Sequence, residues 1–161
     1  MAEISNIDEL VSDFSLLDEW EERYRYVIEL GRDLDTLPES ERNASNKVEG
    51  CVSQVWIKTE VKGANGDAPV LVFRGDSDAH IVRGLIAILF MLFSGRTAED
   101  ILTCDAPGVL ARLGLNEHLT PQRSNGLFAM VKRIQADARA ALSARAHAWS
   151  SSPGTSPTCG R

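Results

Sequence analysis

The sequence predicts an α+β domain in which helices cover a small antiparallel β-sheet. Two observations indicate the sheet: apolar and polar residues alternate over residues 55–62, and the apolar run 70–73 follows a turn-forming segment, 63–67. A third observation indicates the helices, because apolar residues recur at spacings of three and four on both sides of this hairpin. We therefore expect two paired strands with helices before and after them.

Two helices are expected before the sheet. Ser5 is a suitable N-cap for the first helix, and Trp20 begins the apolar stripe of the second. Gly31 is a suitable C′ residue to end that second helix. The segment 32–47 is polar and contains Pro38, so it is interpreted mainly as a loop.

The strand region surrounds a cysteine. Residues 47–49 are expected to add a short third strand to the hairpin, which would place Cys51 at a strand-to-strand tip. Trp56, on the first long strand, is expected to bury its indole ring against the helices. Its N–H would then find a partner near the cysteine loop.

The remaining elements are helical. Asp76 and Ser77 are expected to cap a third helix, and its second half is apolar nearly all round, as in a central buried helix that ends at Gly95. Thr120 and Pro121 have the residue types of an N-cap and a first helical position for the last long helix.

The domain boundary is expected near the end of this last helix. We expect one domain over residues 1–148. Residues 149–161 are rich in Ser, Pro, Gly and Thr, and we expect them to form a disordered tail.

The composition indicates a globular protein of the cytoplasm. The apolar content of 43% and charged content of 25% are ordinary, and a net charge of −6 argues against nucleic acid or an anionic membrane as a partner. Three cysteines without close spacing fit a reducing compartment better than a disulfide framework. The N-terminus lacks the pattern of a signal peptide, and the longest apolar run, 85–93, is too short to span a bilayer.

Cys51 is the leading candidate for chemistry. It follows Gly50 at the point where a polar loop becomes a strand, a position at which a thiol can be presented to a partner. Gln54 and Trp56 are close enough in sequence to line a sulfur site. The alternative reading is a small buried apolar residue, which is common for a free cysteine, and spacing alone does not decide between the two.

Five segments, in order along residues 10–145, resemble the SufE/CsdE family of sulfur-acceptor proteins in iron–sulfur cluster biogenesis. The matching residues are Trp20 to Tyr24, Ile28 to Gly31, Val48 with Gly50, Cys51 and Ser53 to Trp56, Gly75 to Ala79 with Ile81, Val82 and Gly84 to Ala87, and His118 to Pro121 with Arg123, Ser124, Gly126 and Leu127. The resemblance implies a SufE/IscU-like fold. It also implies that Cys51 carries sulfur as a persulfide.

The same resemblance implies the partners. Sulfur would arrive from a cysteine desulfurase of the SufS or CsdA type, whose turnover would rise, and would pass to an Fe–S scaffold such as SufB. The motifs are shared by the SufE and CsdE branches, so either desulfurase fits, and a homodimer is left open. The chain would act as a carrier and activator rather than as a stand-alone enzyme. No site for pyridoxal phosphate is identifiable, so no cofactor is expected.

Four further residues are candidates for supporting roles. Arg123 lies near the start of the last helix, where it is either a surface arginine or a contact for an anion such as a persulfide or a partner's carboxylate. His118 precedes it and is either part of the same patch or a surface loop residue. Asp76 and Asp78 are most simply helix caps, and a docking role on the desulfurase is implied only by the resemblance.

Other chemistries have weaker support in the sequence. Cys51, Cys104 and Cys159 lack the spacing of a metal site, and His80, His118 and His147 lie in unrelated segments. A hydrolase pairing of Cys51 with His118 has no identifiable oxyanion loop. The rival function is an IscU-like Fe–S cluster scaffold. Such scaffolds hold iron with several ligands, and only Cys51 is convincingly placed here.

Overall fold

The computed structural model describes residues 7–34, 37–50, 53–63, 68–115 and 119–150, with side chains as far as residue 144. Its described elements are a three-stranded antiparallel sheet and six helices, with one short 3₁₀ turn at Glu39–Glu41. In chain order they are α1 (Ile7–Ser15), α2 (Trp20–Arg32), β1 (Val55–Lys62), β2 (Val70–Ser77), α3 (His80–Phe93), β3 (Arg96–Thr97), α4 (Ala98–Thr103), α5 (Ala106–Arg112) and α6 (Pro121–Ser150). The predicted α+β class is confirmed.

The sheet is the predicted hairpin with a different third strand. β1 and β2 pair from Val55↔Ser77 to Lys62↔Val70, and β3 adds two residues beside β2. The segment predicted as a third strand forms only one isolated bridge, between Lys47 and Trp56. That expectation was therefore wrong in extent, because Glu49 and Gly50 form a turn instead of continuing beside β1.

Helix α3 fills the centre of the fold, as its apolar character predicts. It contacts α2, β2 and α6, and its residues Ile86, Ile88, Leu89 and Phe93 are completely buried. Gly75 on β2 lets the helix approach the sheet, since a Cβ atom there would lie 3.0 Å from Phe90 Cζ.

Helices α2 and α3 touch through their backbones. A Cβ atom on Gly84 would lie 2.0 Å from the Val27 carbonyl oxygen, and one on Gly31 would lie 2.6 Å from the Gly84 nitrogen. The prediction that Gly31 ends α2 is therefore wrong. The helix continues through Arg32, and Gly31 serves close packing instead of a C′ turn.

The caps agree only in part with the sequence. Thr97 accepts a hydrogen bond from the Asp100 N–H, and Gly95, with φ +80°, follows the end of α3 as predicted. Asp76 and Ser77 do not cap the first turn of α3, because β2 runs through both and the N-cap is Ala79 without a side-chain bond.

Trp56 lies on the outer face of the sheet, and the prediction of a core ring is wrong. Val55 and Ile57 are completely buried, so the residue between them points to the opposite side, where it is half-buried. The Arg42 guanidinium lies 5.8 Å from the ring centroid. Lys58 on the same face pairs with Glu41.

Trp56→Ala is expected to lower the free energy of unfolding by about 1–3 kcal/mol, because the ring loses partial burial and one cation–π contact. That is less than the ~3–5 kcal/mol typical of a buried tryptophan. The measurement is the urea midpoint at unchanged m-value. Ile57→Ala, on the buried face of the same strand, is the matched control. A Trp56→Ala loss as large as that of a fully buried tryptophan would contradict this placement.

Helix α6 packs along α3 and α4 and forms one side of the core. The sequence places apolar residues at helical spacing along it, and six of the seven are buried: Leu127, Met130, Val131, Ile134, Ala138 and Ala141. The seventh, Leu142, is partly buried. The predicted cap is present, with Thr120 Oγ1 accepting from the Arg123 N–H at 3.3 Å. The helix extends to Ser150, two residues into the segment 149–161 that was predicted as a tail, and the rest of that segment lies outside the described residues.

Candidate functional site

Two paired backbone positions, one before Cys51 and one after it, bound what we call the cysteine loop. The Val48 N–H donates to the Val55 carbonyl at 2.8 Å, so residues 49–54 connect the two arms. Cys51 itself lies outside the described residues, as does Val52. Gly50, which precedes it, has φ +93°, where side chains are disfavoured, and a Cβ atom there would lie 3.3 Å from Ala129 Cβ on α6. The incoming arm of the loop is therefore held close to α6.

The outgoing arm is fixed to the start of α3 by a reciprocal pair of hydrogen bonds. The Gln54 N–H donates to Asp78 Oδ1 at 3.1 Å, and the Asp78 N–H donates to the Gln54 carbonyl at 3.3 Å. Asp78 was interpreted as a helix cap or a docking residue, but its carboxylate holds the cysteine segment. The Gln54 side chain is left at the exposed edge of the loop.

A cleft of about 350 Å³ opens beside this loop. The cysteine segment contributes Ser53 and Val55, and the rest of the lining comes from α3 and the start of α6. Those residues are Val82, Leu85, Thr120, Gln122, Arg123, Gly126 and Met130. The cleft thus has an apolar floor and a polar rim at the helix N-terminus.

Arg123 is the cationic group of that rim. Its Nη1 donates to the Tyr24 hydroxyl at 3.1 Å, which ties the guanidinium to α2 and limits its rotamers. The side chain is half-buried, so other guanidinium donors can face the cleft. A fixed cation beside a sulfur site favours a thiolate, a persulfide anion or a partner's carboxylate.

Asp76 is part of the internal structure. Its side chain is 6% exposed, and Oδ1 lies 3.1 Å from Arg83 Nε, with Arg42 3.9 Å from Oδ2. A carboxylate buried and paired in this way is committed to internal contacts, because losing them would leave a buried charge, and it is poorly placed to meet a partner. Of the two aspartates in the predicted docking block, Asp78 is the exposed one.

The other candidate residues separate into two groups. Gly50, Gln54 and Arg123 lie around the loop and its cleft, whereas Trp56 projects to the other face of the sheet. His118 lies outside the described residues. Tyr24 was not predicted as a site residue, and its place in the apolar stripe of α2 gave no signal that its hydroxyl would hold Arg123.

The second cysteine is poorly suited to sulfur chemistry. Cys104 follows α4 and is half-buried, and burial raises the pKa of its thiol, which disfavours the thiolate. Cys159 lies outside the described residues. Within the part of the chain that the structure describes, no three His, Cys, Asp or Glu side chains cluster as metal ligands would. Nor does any helix in that part combine the length and apolar character needed to cross a membrane.

Comparison with known proteins defines the class to which this fold and loop belong. Residues 8–138 match the family model described as "SufE: Fe-S metabolism associated domain". The chain belongs to the SufE family, which confirms the resemblance read from the sequence.

Two relatives are uncharacterized SufE-like proteins of rhizobia. The one from Rhizobium meliloti is 50% identical over 141 residues, which cover 88% of this chain and 100% of the relative. The one from Rhizobium etli is 50% identical over 136 residues, covering 84% and 91% respectively. Both alignments span nearly the whole relative, so the similarity concerns the entire domain.

A solved structure confirms the fold. The solution structure of a hypothetical protein from Thermus thermophilus superposes with a TM-score of 0.67 and covers 85% of this chain and 96% of that chain. At 24% sequence identity, this likeness concerns the arrangement of helices and strands alone.

Proposed function

We propose that this protein accepts sulfur from a cysteine desulfurase onto Cys51, stimulates that enzyme, and passes the sulfur to an Fe–S cluster scaffold. Membership of the SufE family associates the chain with Fe–S metabolism. The finer assignment is supported by one observation: Ser53, which follows the cysteine segment, lines a cleft whose rim carries Arg123, and Gly50, which precedes the cysteine, packs against Ala129 of α6, the helix that carries Arg123.

The chemistry is a persulfide exchange. The Cys51 thiolate attacks the outer sulfur of the donor persulfide, a new S–S bond forms on Cys51, and the donor's S–S bond breaks. The donor cysteine leaves as a thiolate, so the step involves no net oxidation or reduction. Freeing the donor cysteine for another cycle is the reason that turnover of the desulfurase rises.

The cleft supports this exchange in two ways. Arg123 can hold the negative charge of a persulfide or of a carboxylate beside the donor cysteine. Val55, Val82 and Leu85 form an apolar floor, which suits sulfur groups that react with little water around them. The reaction takes place in the reducing cytoplasm, where a thiol stays available.

Mass spectrometry after mixing the protein with a desulfurase and cysteine tests the proposal directly. The expected product is one added sulfur atom, mapped to the peptide containing Cys51 and removed by a reductant. Anaerobic incubation with iron and sulfide is the companion experiment. An Fe–S absorbance spectrum without sulfur loading would instead identify a cluster scaffold and overturn the carrier role.

Access to Cys51 is expected to change when the desulfurase binds. Val48 and Val55, on the two arms of the loop, are both buried, and apolar surroundings protect a persulfide but disfavour a thiolate. In the free protein the sulfur should therefore be partly shielded. The bound desulfurase would favour an exposed loop, because only that state reaches the donor.

The measurement is the alkylation rate of Cys51 with and without a desulfurase that lacks its own active cysteine. A Cys104→Ser, Cys159→Ser background leaves Cys51 as the single thiol of the carrier. Slow alkylation that accelerates in the complex agrees with shielding. Alkylation of the free protein at the rate of an unfolded peptide thiol contradicts it.

A further inference from the structure

Arg133 on α6 lies at the base of the cysteine loop and contacts both of its arms. Its Nη1 donates to the Lys47 carbonyl, and its Nη2 donates to the carbonyls of Ser45 and Ile57, each at 3.3 Å. Ser45 and Lys47 belong to the incoming arm, and Ile57 belongs to β1 on the outgoing arm. One guanidinium therefore ties three backbone carbonyls from two segments to the helix.

The guanidinium is itself held in place by Asp137. Arg133 Nε donates to Asp137 Oδ2 at 3.2 Å, and Thr59 Oγ1 donates to the same oxygen at 2.6 Å. Arg133 and Asp137 are one helical turn apart, and their side chains are only 24% and 25% exposed. Asp137 thereby fixes the plane of the guanidinium and links it a second time to β1.

Few other backbone hydrogen bonds join the two arms at this point. The incoming arm makes one isolated bridge with β1, in which Val48 N–H donates to Val55 and Ile57 N–H donates to the Asn46 carbonyl. A full strand would be held by a ladder along its length. Arg133 donates to carbonyls on both arms, and so links the two segments where no further backbone ladder joins them.

We propose that Arg133, oriented by Asp137, is a positioning residue for Cys51. It fixes the base of the loop against α6 and so sets where the thiol stands relative to the cleft and to Arg123. The consequence for sulfur transfer rests on the proposed function, whereas the consequence for loop order does not. Lysine cannot substitute fully, because a single ammonium lacks the planar fork that reaches separate carbonyls.

The experiment compares Arg133→Met, Arg133→Lys and Asp137→Asn with the control Arg139→Met, an exposed arginine of the same helix. All variants carry Cys104→Ser and Cys159→Ser. Hydrogen exchange of the Val48 and Ile57 amides reports the base of the loop, and alkylation of Cys51 reports the thiol. Desulfurase stimulation is measured over a range of carrier concentrations.

Arg133→Met is expected to speed both exchange and alkylation by about tenfold. Maximal stimulation should fall several-fold, while the carrier concentration at half-maximal stimulation stays within about twofold of wild type. This pattern is expected when a substitution impairs the transfer step and leaves binding to the desulfurase intact. Arg133→Lys and Asp137→Asn should give smaller changes in the same direction. Arg139→Met should match wild type.

Three results would overturn the proposal or separate the effect of Arg133 on loop order from its effect on sulfur transfer. Equal exchange and alkylation in Arg133→Met and Arg139→Met would refute the positioning role. Faster exchange with undiminished maximal stimulation would show that Arg133 orders the base of the loop but does not position the thiol for transfer. A third result combines two findings: Arg133→Met speeds exchange and alkylation, but the wild-type protein accepts no sulfur. That result would support the role of Arg133 in ordering the loop and would refute the proposed function instead. If Arg133→Met fails to fold, Arg133→Lys and Asp137→Asn decide by the same readouts.

Discussion

Cys51→Ser is expected to abolish sulfur loading and to return desulfurase turnover to the rate measured without the carrier. A serine hydroxyl ionises far above neutral pH and is a poor nucleophile toward the outer sulfur of a persulfide, so no S–S bond can form. The substitution removes no large apolar group, and the free energy of unfolding should stay within about 0.5 kcal/mol of wild type. Sulfur bound to the carrier and steady-state desulfurase turnover are the two measurements.

The other two cysteines provide the controls. Cys104 is half-buried behind α4 with a raised thiol pKa, and Cys159 lies close to the C-terminus. Cys104→Ser and Cys159→Ser should each retain most of the loading and stimulation. Loss of transfer in Cys159→Ser with Cys51 intact would contradict the assignment of Cys51, because it would identify Cys159 as the sulfur acceptor.

Gly84→Ala is expected to have the largest effect on stability. The added methyl would lie 2.0 Å from the Val27 carbonyl oxygen and 2.6 Å from Val27 Cγ1, and α2 must move away to make room. A glycine-to-alanine change in an open helix gains about 0.5–1 kcal/mol from propensity. Here the overpacking should exceed that gain and leave a net loss of at least about 2 kcal/mol. For a chain of this size, such a loss lowers Tm by about 4–8 °C.

Ala87→Gly, one turn later in α3, is the matched control. It should lose only about 1 kcal/mol, most of it the ordinary propensity difference, because Ala87 is only partly buried. Urea unfolding of both variants at constant m-value gives the comparison. If Gly84→Ala were as stable as wild type, α2 and α3 would have to lie farther apart than the structure places them.

The strand pairing and the central helix could be predicted because each rests on a local pattern. Alternation over residues 55–62 and the turn before residue 70 define a hairpin without knowledge of any distant residue. The apolar character of α3 on all sides requires a central position wherever the neighbours come from. Thr97 and Thr120 cap their helices through bonds to residues three positions away, which is also local.

The placement of Trp56 could not be decided by the same pattern. Alternation states that Trp56 and Ile57 face opposite sides, but the buried side depends on where α3 and α6 pack. Because the indole is a large apolar group, the sequence predicted that it lies in the core. The structure instead covers it with Arg42, from a segment whose polar composition predicted only a loop. Gly31 was misread for a similar reason, since a C′ glycine and a packing glycine look alike in sequence.

The candidate site divides in the same way. Cys51 and Arg123 were identifiable because a known family carries the same motif. The bond from Gln54 to Asp78 and the bonds from Arg133 to backbone carbonyls join residues 24 to 88 positions apart, so no local pattern reports them. An arginine on the polar side of a long helix ordinarily remains in solvent, and only the tertiary structure shows which carbonyls it meets.

Helix α6 restricts how the length of this chain can vary. Arg123, Gly126 and Met130 line the cleft, and Arg133 and Asp137 hold the base of the loop, all on one side of the helix along about 21 Å. Inserting one residue between Met130 and Arg133 would turn the later pair by about 100° away from the loop. Inserting seven would restore the facing side but move that pair about 10 Å along the axis. Natural or engineered insertions should therefore be tolerated outside this stretch of α6 and rejected within it, whatever their composition.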